Sequence, residues 1–341
     1  MPGRSGGSCH DAVVATEFGS KRFERALKVT NAQRLDVSTR HGSFYCHAVI
    51  ASGGQGVVYL ATGDLTARSR PCVVKTFHEP DRETIDRARR SIEAQLKLVD
   101  AASSHPGALS RPTAWVPDIL GWDMGGDLGP WVAQEFRGAN LRRYLTTPAG
   151  HALISDDSLA ERRGKDVRRD VVDELLAGLA RAVGFVHAQG VVHRDLKPEN
   201  VLVDANKPFA RIALCDFDLA KGNDQTTLTQ TGARMGTPGY SAPEQMLGLA
   251  RGTPASDVYS VGMLTVFLSA GREPNDVMVG SDFTKLKLDA RVAERLGEKR
   301  EWVEGAISFW PEGRPPLKDL LNILGVPSLG LTRRGAPTER A

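Results

Sequence analysis

A run of charged and polar side chains occupies residues 193–200, in the order His-Arg-Asp-Leu-Lys-Pro-Glu-Asn. It places the carboxylate of Asp195, the ammonium group of Lys197 and the amide of Asn200 within a few residues of one another. Phosphoryl transfer needs little covalent chemistry from a protein, but it needs a positioned acceptor, charge neutralisation and metal ligands. Because these side chains can supply each of those parts, the run is the first candidate for a site that moves a phosphoryl group.

A glycine-rich segment, 51–58, lies between two strand-like runs and has the sequence Ala-Ser-Gly-Gly-Gln-Gly-Val-Val. Glycines allow backbone N–H groups to approach phosphate oxygens without a Cβ in the way. The same pattern is common in ordinary hairpin turns, so by itself it is a weak indication. Lys75 ends the apolar run that follows, where a lysine is more often simply an exposed side chain.

Further motifs follow residues 193–200 along the chain. The run matches the pattern H-R-D-L-x-x-x-N at every fixed position, residues 215–218 (Cys-Asp-Phe-Asp) resemble D-F-G, and residues 236–244 end in Ala-Pro-Glu. With the glycine-rich loop and Lys75 they stand in the order found in the eukaryotic-type protein kinase superfamily. The resemblance covers roughly residues 44–325 and is closest in character to bacterial serine/threonine protein kinases.

The resemblance implies a role for each matched residue. Asp195 would accept or orient the proton of the substrate hydroxyl, Lys197 would meet the γ-phosphate, and Asn200 and Asp216 would bind Mg²⁺. Lys75 would hold the α- and β-phosphates of ATP and pair with a carboxylate on the next helix, for which Glu93 is chosen over Glu83 and Asp86. The predicted ATP-binding residues are Ala51, Gly53, Gly54, Gly56, Val58, Lys75, the gatekeeper Gln134, and Glu135 and Arg137 of the hinge.

Regulatory and structural residues are implied in the same way. Arg194 would receive a phosphate carried by the segment between Asp216 and Glu244. The predicted regulatory threonines are Thr226, Thr227, Thr229, Thr231 and, beside the catalytic loop, Thr237. Glu244 would pair with Arg314, and Asp257 would begin the buried central helix.

Two departures from the family pattern keep alternatives open. Ala51 stands in place of the first glycine of the loop, and Asp218 replaces the glycine of D-F-G. An inactive kinase fold that serves as a scaffold is one alternative, and a small-molecule phosphotransferase of the same fold is another. Because every polar group needed for transfer is present, and because residues 236–244 resemble a peptide platform, the sequence favours an ATP-dependent serine/threonine protein kinase.

The elements that must position these residues follow from hydrophobic periodicity. Apolar, strand-like runs predict strands at 44–50, 57–60, 72–77 and 131–136, and apolar stripes predict helices around 85–99 and 172–186. This order predicts an α+β, bilobal protein-kinase fold, with a small β-rich N-lobe and a larger, mainly helical C-lobe. The expected boundaries are an extension at 1–42, the N-lobe at 43–137, the C-lobe at 138–326 and a tail at 327–341.

Net charge, hydropathy and cysteine spacing argue against several other classes of function. A formal net charge of +3 over 341 residues gives no reason to expect nucleic acid or a membrane surface as partner. The apolar run 258–270 is shorter than the roughly 20 residues that span a bilayer, and no secretory signal is recognised. The four cysteines form no CxxC pair, which favours reduced thiols in a cytoplasmic protein. The expected cofactors are ATP and Mg²⁺, and the expected partner is a protein substrate.

Overall fold

A computed structural model gives the arrangement of the chain. The residues that it describes are 36–39, 42–53, 56–64, 70–77, 82–103, 115–124, 130–146, 165–204, 211–217, 239–248, 252–279 and 287–327.

The N-terminal part is a six-stranded antiparallel sheet. Its strands are β1 (Asp36–Thr39), β2 (Gly42–Gly53), β3 (Gly56–Asp64), β4 (Arg70–Phe77), β5 (Ile119–Asp123) and β6 (Trp131–Glu135). They are ordered β1-β2-β3-β4-β6-β5, so the last hairpin enters the sheet beside β4. The four predicted strands are confirmed by β2, β3, β4 and β6. The expected boundary at residue 42 falls inside the β1–β2 hairpin, because the sheet already begins at Asp36.

The two faces of this sheet have different roles. One face carries its own small core, formed by Phe44, Cys46, Ala61, Cys72, Val74, Trp131 and Ala133. Side chains alternate between faces along a strand, so Lys75, next to Val74, lies on the other face. Ala51 pairs with Val58, and Val58 pairs with Lys75, so these three residues form one row across β2, β3 and β4. Burial on one face thus leaves the predicted nucleotide-binding row on the opposite face.

Helix α1 (Arg82–Ser103) confirms the helix predicted after β4. Its buried residues are Ala88, Ser91, Ile92, Gln95, Leu98 and Ala102. Leu98 and Ala102 belong to the large core of the C-terminal part, so the end of α1 is packed against the helical region. Residues of the predicted stripe such as Leu96 and Val99 are only half-buried. The buried face therefore shares Ala88 and Ile92 with the predicted stripe but is rotated toward Ser91, Gln95 and Leu98.

The C-terminal part is mainly helical. Its helices are α2 (Leu141–Thr146), α3 (Lys165–Ala188), α4 (Pro243–Met246), α5 (Pro254–Ala270), α6 (Ala290–Leu296), α7 (Arg300–Ala306) and α8 (Leu317–Ile323). The strands β7 (Ala139–Asn140), β8 (Val201–Asp204) and β9 (Arg211–Leu214) form a second sheet, and β10 (Met278–Val279) pairs with β11 (Lys287–Leu288). Every residue of α5 from Ser256 to Ala270 is buried, which makes α5 the central helix. The predicted α+β class, sheet first and helices second, is confirmed.

The N-terminus of α5 has strong local signals. The Thr253 side chain accepts from the backbone of Ser256, whose hydroxyl in turn accepts from the Thr253 N–H, and Pro254 occupies the first helical position. This reciprocal cap satisfies helix N–H groups that have no partner within the helix. The start of α5 is therefore well fixed, and with it Asp257. Among the helices that the structure describes, none combines the length and apolarity needed to cross a membrane.

Gly138, between β6 and β7, is expected to tolerate no side chain. Its φ is +98°, and a Cβ there would lie 2.3 Å from the Val203 carbonyl oxygen of β8. Gly190 is a matched control, since its φ is +72° with no atom within 4 Å of the position of a Cβ. We expect Gly190→Ala to lower the free energy of unfolding by about 1–2 kcal/mol through backbone strain alone. Gly138→Ala should lower it by at least about 1 kcal/mol more, because it adds an overpacked contact. Equal urea midpoints for the two variants would contradict this close approach.

Candidate active site

The catalytic-loop residues predicted from the sequence lie together. The carboxylate oxygen Oδ2 of Asp195 accepts from Lys197 Nζ at 2.6 Å and from Asn200 Nδ2 at 3.2 Å. Asn200 Nδ2 also donates to the Asp195 carbonyl oxygen at 2.8 Å. The 3₁₀ turn Pro198–Asn200 creates this arrangement, because it folds Asn200 back onto the residues just before it. A carboxylate held between an ammonium group and an amide can orient a hydroxyl and accept its proton.

The buried carboxylate of Asp257 accepts hydrogen bonds from the backbone of this loop. Its two carboxylate oxygens accept from the backbone N–H groups of His193 and Arg194, each at 2.8 Å, and Oδ2 also accepts from His187 Nε2 at 2.8 Å. Burial alone would raise the pKa of Asp257, but the hydrogen bond and charge of His187 and the other donors more than offset it, and the pKa lies below its ordinary value. Asp257 is therefore an ionised, fully buried anchor for the loop.

Two residues of the site have left-handed backbone conformations that are unusual for residues with a side chain. Arg194 has φ 71° and Asp216 has φ 66°. Such conformations cost of order 1–3 kcal/mol each and persist where the surroundings impose them. For Arg194 the restraint is the hydrogen bond from its N–H to Asp257. The backbone at Arg194 is thus held in this conformation by the buried carboxylate of Asp257.

His193 joins the catalytic loop to the segment that carries Asp216. Its Nε2–H donates to the Cys215 carbonyl oxygen at 3.0 Å, which leaves Nδ1 to accept from the Asp195 N–H at 3.4 Å. Its ring also packs against Phe217, with 4.8 Å between centroids. The structural role predicted for this histidine is confirmed by these contacts.

Lys75 and Asp216 meet across the two parts of the chain. Lys75 Nζ donates to Asp216 Oδ1 at 2.9 Å, although 141 residues separate them. Both side chains are partly exposed, at 19% and 27% respectively. Asn200 lies close by, since its carbonyl oxygen accepts from the Cys215 N–H at 3.1 Å.

The oxygen atoms of Asn200 and Asp216 suit a magnesium ion. Because Asn200 Nδ2 donates to Asp195, the amide oxygen Oδ1 is the atom left for a cation. Mg²⁺ prefers oxygen ligands and is commonly held by one or two protein groups together with substrate phosphates. An amide oxygen beside a half-buried carboxylate fits that ligand set.

The structure does not bring Glu93 to Lys75, and their pairing stays a prediction. Glu93 is exposed on the outer face of α1, with Arg89 and Lys97 one turn to either side. In this structure Lys75 forms an ion pair with Asp216. Successive helix residues are rotated by about 100°, so a residue next to Ile92 in sequence can lie on either flank of the buried face. Ser91 takes the inner flank and Glu93 the outer one.

The exposure of Glu93 leads to an expected result for Glu93→Gln. The substitution should change kcat/KM for ATP by no more than about twofold, as is usual for an exposed residue outside a site. Lys75→Met, assayed in parallel, should lower kcat/KM strongly, since it removes the charge that is predicted to hold the phosphates. A loss in Glu93→Gln as large as that in Lys75→Met would show that α1 turns Glu93 inward during catalysis.

Gln95 is a site residue that the sequence reasoning missed. It is buried, donates from Nε2 to the Pro117 carbonyl oxygen at 2.7 Å, and accepts from Gln134 Nε2 at 2.9 Å. The predicted gatekeeper Gln134 is thus connected to α1 by a neutral amide pair. The signal that could have identified it is a polar residue three positions after Ile92, beside the apolar stripe.

The remaining predicted ATP-binding residues lie around this row. Gly53 and Gly56 pair across the β2–β3 turn, and Gly56 (φ +155°) allows the Thr76 carbonyl to approach so closely that a Cβ would lie 1.8 Å from it. In the hinge, Arg137 forms an ion pair with Glu135 at 3.0 Å. The roles of these residues toward adenine and phosphates stay predictions. Gly54 lies outside the described residues.

The predicted regulatory elements are only partly visible. Thr226, Thr227, Thr229, Thr231 and Thr237, and with them Asp218, lie outside the described residues. The Arg194 side chain donates from Nε to the Gly252 carbonyl oxygen at 3.0 Å. A role for Arg194 in receiving a phosphate stays a prediction.

Glu244 and Arg314 form the pair that the motifs predicted. Arg314 Nη1 and Nη2 donate to the two carboxylate oxygens of Glu244 at 2.8 and 2.7 Å, and the Ser256 hydroxyl donates to Oε1 at 2.8 Å. Burial raises the pKa of Glu244, but the hydrogen bonds from Arg314 and Ser256 prevail, so that the pKa lies below its ordinary value. This pair attaches α4, in which the predicted peptide platform ends, to the C-terminal helices.

Comparison with known proteins agrees with this geometry. A family model described as "Protein kinase domain" matches residues 147–324. The chain is 35% identical over 237 residues to Serine/threonine-protein kinase PknA of Mycobacterium tuberculosis, covering 69% of this chain and 48% of that protein. It is 31% identical over 293 residues to Serine/threonine-protein kinase AfsK of Streptomyces coelicolor, covering 84% of this chain and 32% of that protein. The aligned segments thus amount to less than half the length of either relative. Because the family model matches more than half of the chain and includes the catalytic loop, the chain belongs to the protein kinase family.

Proposed function

We propose that this chain transfers the γ-phosphate of Mg-ATP to a serine or threonine hydroxyl of a protein. The observation that carries the proposal is the position of Asp195, held by Lys197 and Asn200 next to the segment on which Asp216 meets Lys75. These groups are the parts that phosphoryl transfer needs.

The chemistry assigns one step to each group. The acceptor hydroxyl oxygen forms a bond to the γ-phosphorus while the bond from that phosphorus to the β–γ bridging oxygen breaks, and ADP leaves. Asp195 orients the hydroxyl and takes its proton. Lys197, 2.6 Å from the Asp195 carboxylate, supplies positive charge where negative charge develops on the transferred group.

The cofactors are proposed from the ligand chemistry of the site. Asn200 Oδ1 and the Asp216 carboxylate would hold Mg²⁺, which when bound neutralises phosphate charge. Lys75 lies in one row with Val58 and Ala51 on the face of the sheet opposite its small core. That row would lie along the nucleotide, with Lys75 directed at its phosphates.

A protein acceptor is supported by the segment around α4. Tyr240, Ser241 and Ala242 are buried, and Glu244 is tied to Arg314, so the end of the predicted peptide platform is rigid. The relatives' names as serine/threonine protein kinases favour the same acceptor type. Buried, free thiols at Cys46 and Cys72 suit a reducing compartment, and we place the protein in the cytoplasm.

A binding module without catalysis is the second candidate. The observation that favours it is the exposure of Glu93, because α1 then contributes no carboxylate from that position to the site. Such a module would bind ATP and transfer nothing.

A transfer assay separates these functions. The purified chain is incubated with radiolabelled Mg-ATP and, in parallel, with a protein mixture and with small hydroxylated acceptors, followed by phosphoamino-acid analysis. We expect label on protein serine or threonine that disappears in EDTA. ATP binding without any transfer would favour the binding module, label confined to small acceptors would favour a small-molecule phosphotransferase, and phosphotyrosine would contradict the acceptor type.

A further inference from the structure

Four side chains form a hydrogen-bonded group beside the catalytic loop, here called the Arg142 cluster: Arg142, Glu199, Tyr240 and Glu273. Arg142 Nε donates to Glu199 Oε1, and Arg142 Nη1 donates to Glu273 Oε1. The Tyr240 hydroxyl donates to the other oxygen of Glu273 at 3.0 Å. A single guanidinium group therefore bridges two carboxylates that come from distant parts of the chain.

The cluster lies within reach of a bound substrate. Glu199 precedes Asn200 in the 3₁₀ turn and is four residues from Asp195, so their Cα atoms are at most about 15 Å apart. Tyr240 belongs to the segment before α4, and Glu273 follows α5. An extended peptide advances about 3.3 Å per residue. A substrate residue a few positions from the acceptor can therefore contact the cluster.

The charges of the cluster are open to solvent and almost balanced. The side chains of Arg142, Glu199 and Glu273 are 39%, 39% and 41% exposed, unlike the buried Glu244–Arg314 pair. The hydrogen bond from Arg142 is the main reason that the pKa of Glu273 lies below its ordinary value, so this carboxylate is ionised at neutral pH. Two carboxylates and one guanidinium leave a single negative charge. Without Arg142, two neighbouring carboxylates would face the substrate.

We propose that Arg142 is a specificity-determining residue, which occupies from within the protein an acidic subsite that would otherwise select a basic substrate residue. The proposal rests on the proposed protein kinase activity and adds a rule for its substrates. With Arg142 in place, the carboxylates of Glu199 and Glu273 already accept hydrogen bonds from its guanidinium group. A lysine or arginine of the substrate would therefore add little binding energy at this subsite. Hydrogen bonds between charged groups and carboxylates are strong. Removing those of Arg142 should therefore change which substrate residue the subsite prefers.

The test is a positional-scanning peptide library with serine or threonine fixed and arginine placed in turn at positions −4 to +4. The unaltered chain should favour arginine over alanine by less than about threefold at each position. Arg142→Met retains an unbranched stem against the Phe267 ring, over which the guanidinium now lies at 5.5 Å. It should favour arginine by about tenfold or more at one position or two adjacent positions, equivalent to one strong contact.

Two further variants connect the change to the two carboxylates. Adding Glu199→Gln and Glu273→Gln to Arg142→Met should abolish the new preference. Arg300→Met removes an arginine from the exposed pair with Glu304 and should leave the library profile unchanged. If Arg142→Met does not fold, Arg142→Gln removes the charge but keeps a donor, and the same selection should appear with it.

The possible outcomes are distinct. If the unaltered chain and a folded Arg142 variant both transfer phosphate and show the same peptide-library profile, the proposed role of Arg142 is overturned. The proposed kinase activity is not affected by that outcome. A strong preference for arginine in the unaltered chain also overturns the role of Arg142, because the subsite would then be free. Absence of any transfer by the unaltered chain overturns the proposed function together with this inference.

Discussion

Asp195→Asn is expected to lower kcat by about 100-fold or more, the range for loss of a positioned general base. The amide has almost the same shape as the carboxylate, and its oxygen can still accept from Lys197, as Asp195 Oδ2 does at 2.6 Å. It cannot take the proton of the attacking hydroxyl. KM for ATP should change little, because Asp195 acts on the acceptor. The measurement is initial rates at saturating Mg-ATP with a fixed protein acceptor.

A matched control for this substitution is Asp319→Asn. Asp319 lies in the first turn of α8 and takes no part in the site, so the variant should lose only the small stabilisation of a helix N-terminus by a negative charge. Its kcat should equal that of the unaltered chain. Turnover by Asp195→Asn within about threefold of the control would mean that another group serves as the base.

Arg314→Ala should destabilise the chain by about 3–5 kcal/mol, the usual effect of removing one partner of a buried ion pair. The Arg314 side chain is fully buried and that of Glu244 is 6% exposed, so the carboxylate left behind has no water to replace the lost donors. The substitution also leaves the carbonyl oxygens of Ala255, Ser308 and Phe309 without their guanidinium donor. Urea denaturation followed by circular dichroism measures the loss.

Arg300→Ala is the control for Arg314→Ala. Arg300 pairs with Glu304 one helical turn away, and their side chains are 56% and 47% exposed. Exposed pairs of this kind contribute about 0.3–0.5 kcal/mol. Arg314→Ala should therefore lower the free energy of unfolding several times as much as Arg300→Ala. If Arg314→Ala unfolds at the same urea concentration as Arg300→Ala, the pair does not hold α4 against the C-terminal helices.

Many features could be predicted from the sequence because they are local. Asp195, Lys197 and Asn200 lie within one short loop, and the proline that opens the 3₁₀ turn favours the bend that brings them together. The strands around Lys75 follow from short apolar runs rich in valine, and the cap of α5 follows from Thr253, Pro254 and Ser256. In each case the residues that decide the structure are only a few positions apart.

Other features depended on a match to a family pattern, because the residues involved are distant in the chain. Asp216 and Lys75 are 141 residues apart, and Glu244 and Arg314 are 70 residues apart. No local property of the segments that carry these residues predicts that the residues lie in contact. The family motifs identified these four residues, and the structure alone shows that Lys75 and Asp216 contact each other directly.

Helical periodicity does not determine which residues of α1 lie at the centre of its buried face, and the tertiary structure does. A stripe through Ile92 is compatible with Ser91 or Glu93 on the inner flank, and packing of Leu98 and Ala102 into the large core selects Ser91. The same packing brings Gln95 to Gln134, and the folding of α2 beside the catalytic loop brings Arg142 between Glu199 and Glu273. Periodicity restricts a helix to a buried face about 100° wide or more, whereas the neighbours that pack against that face determine which residue lies at its centre.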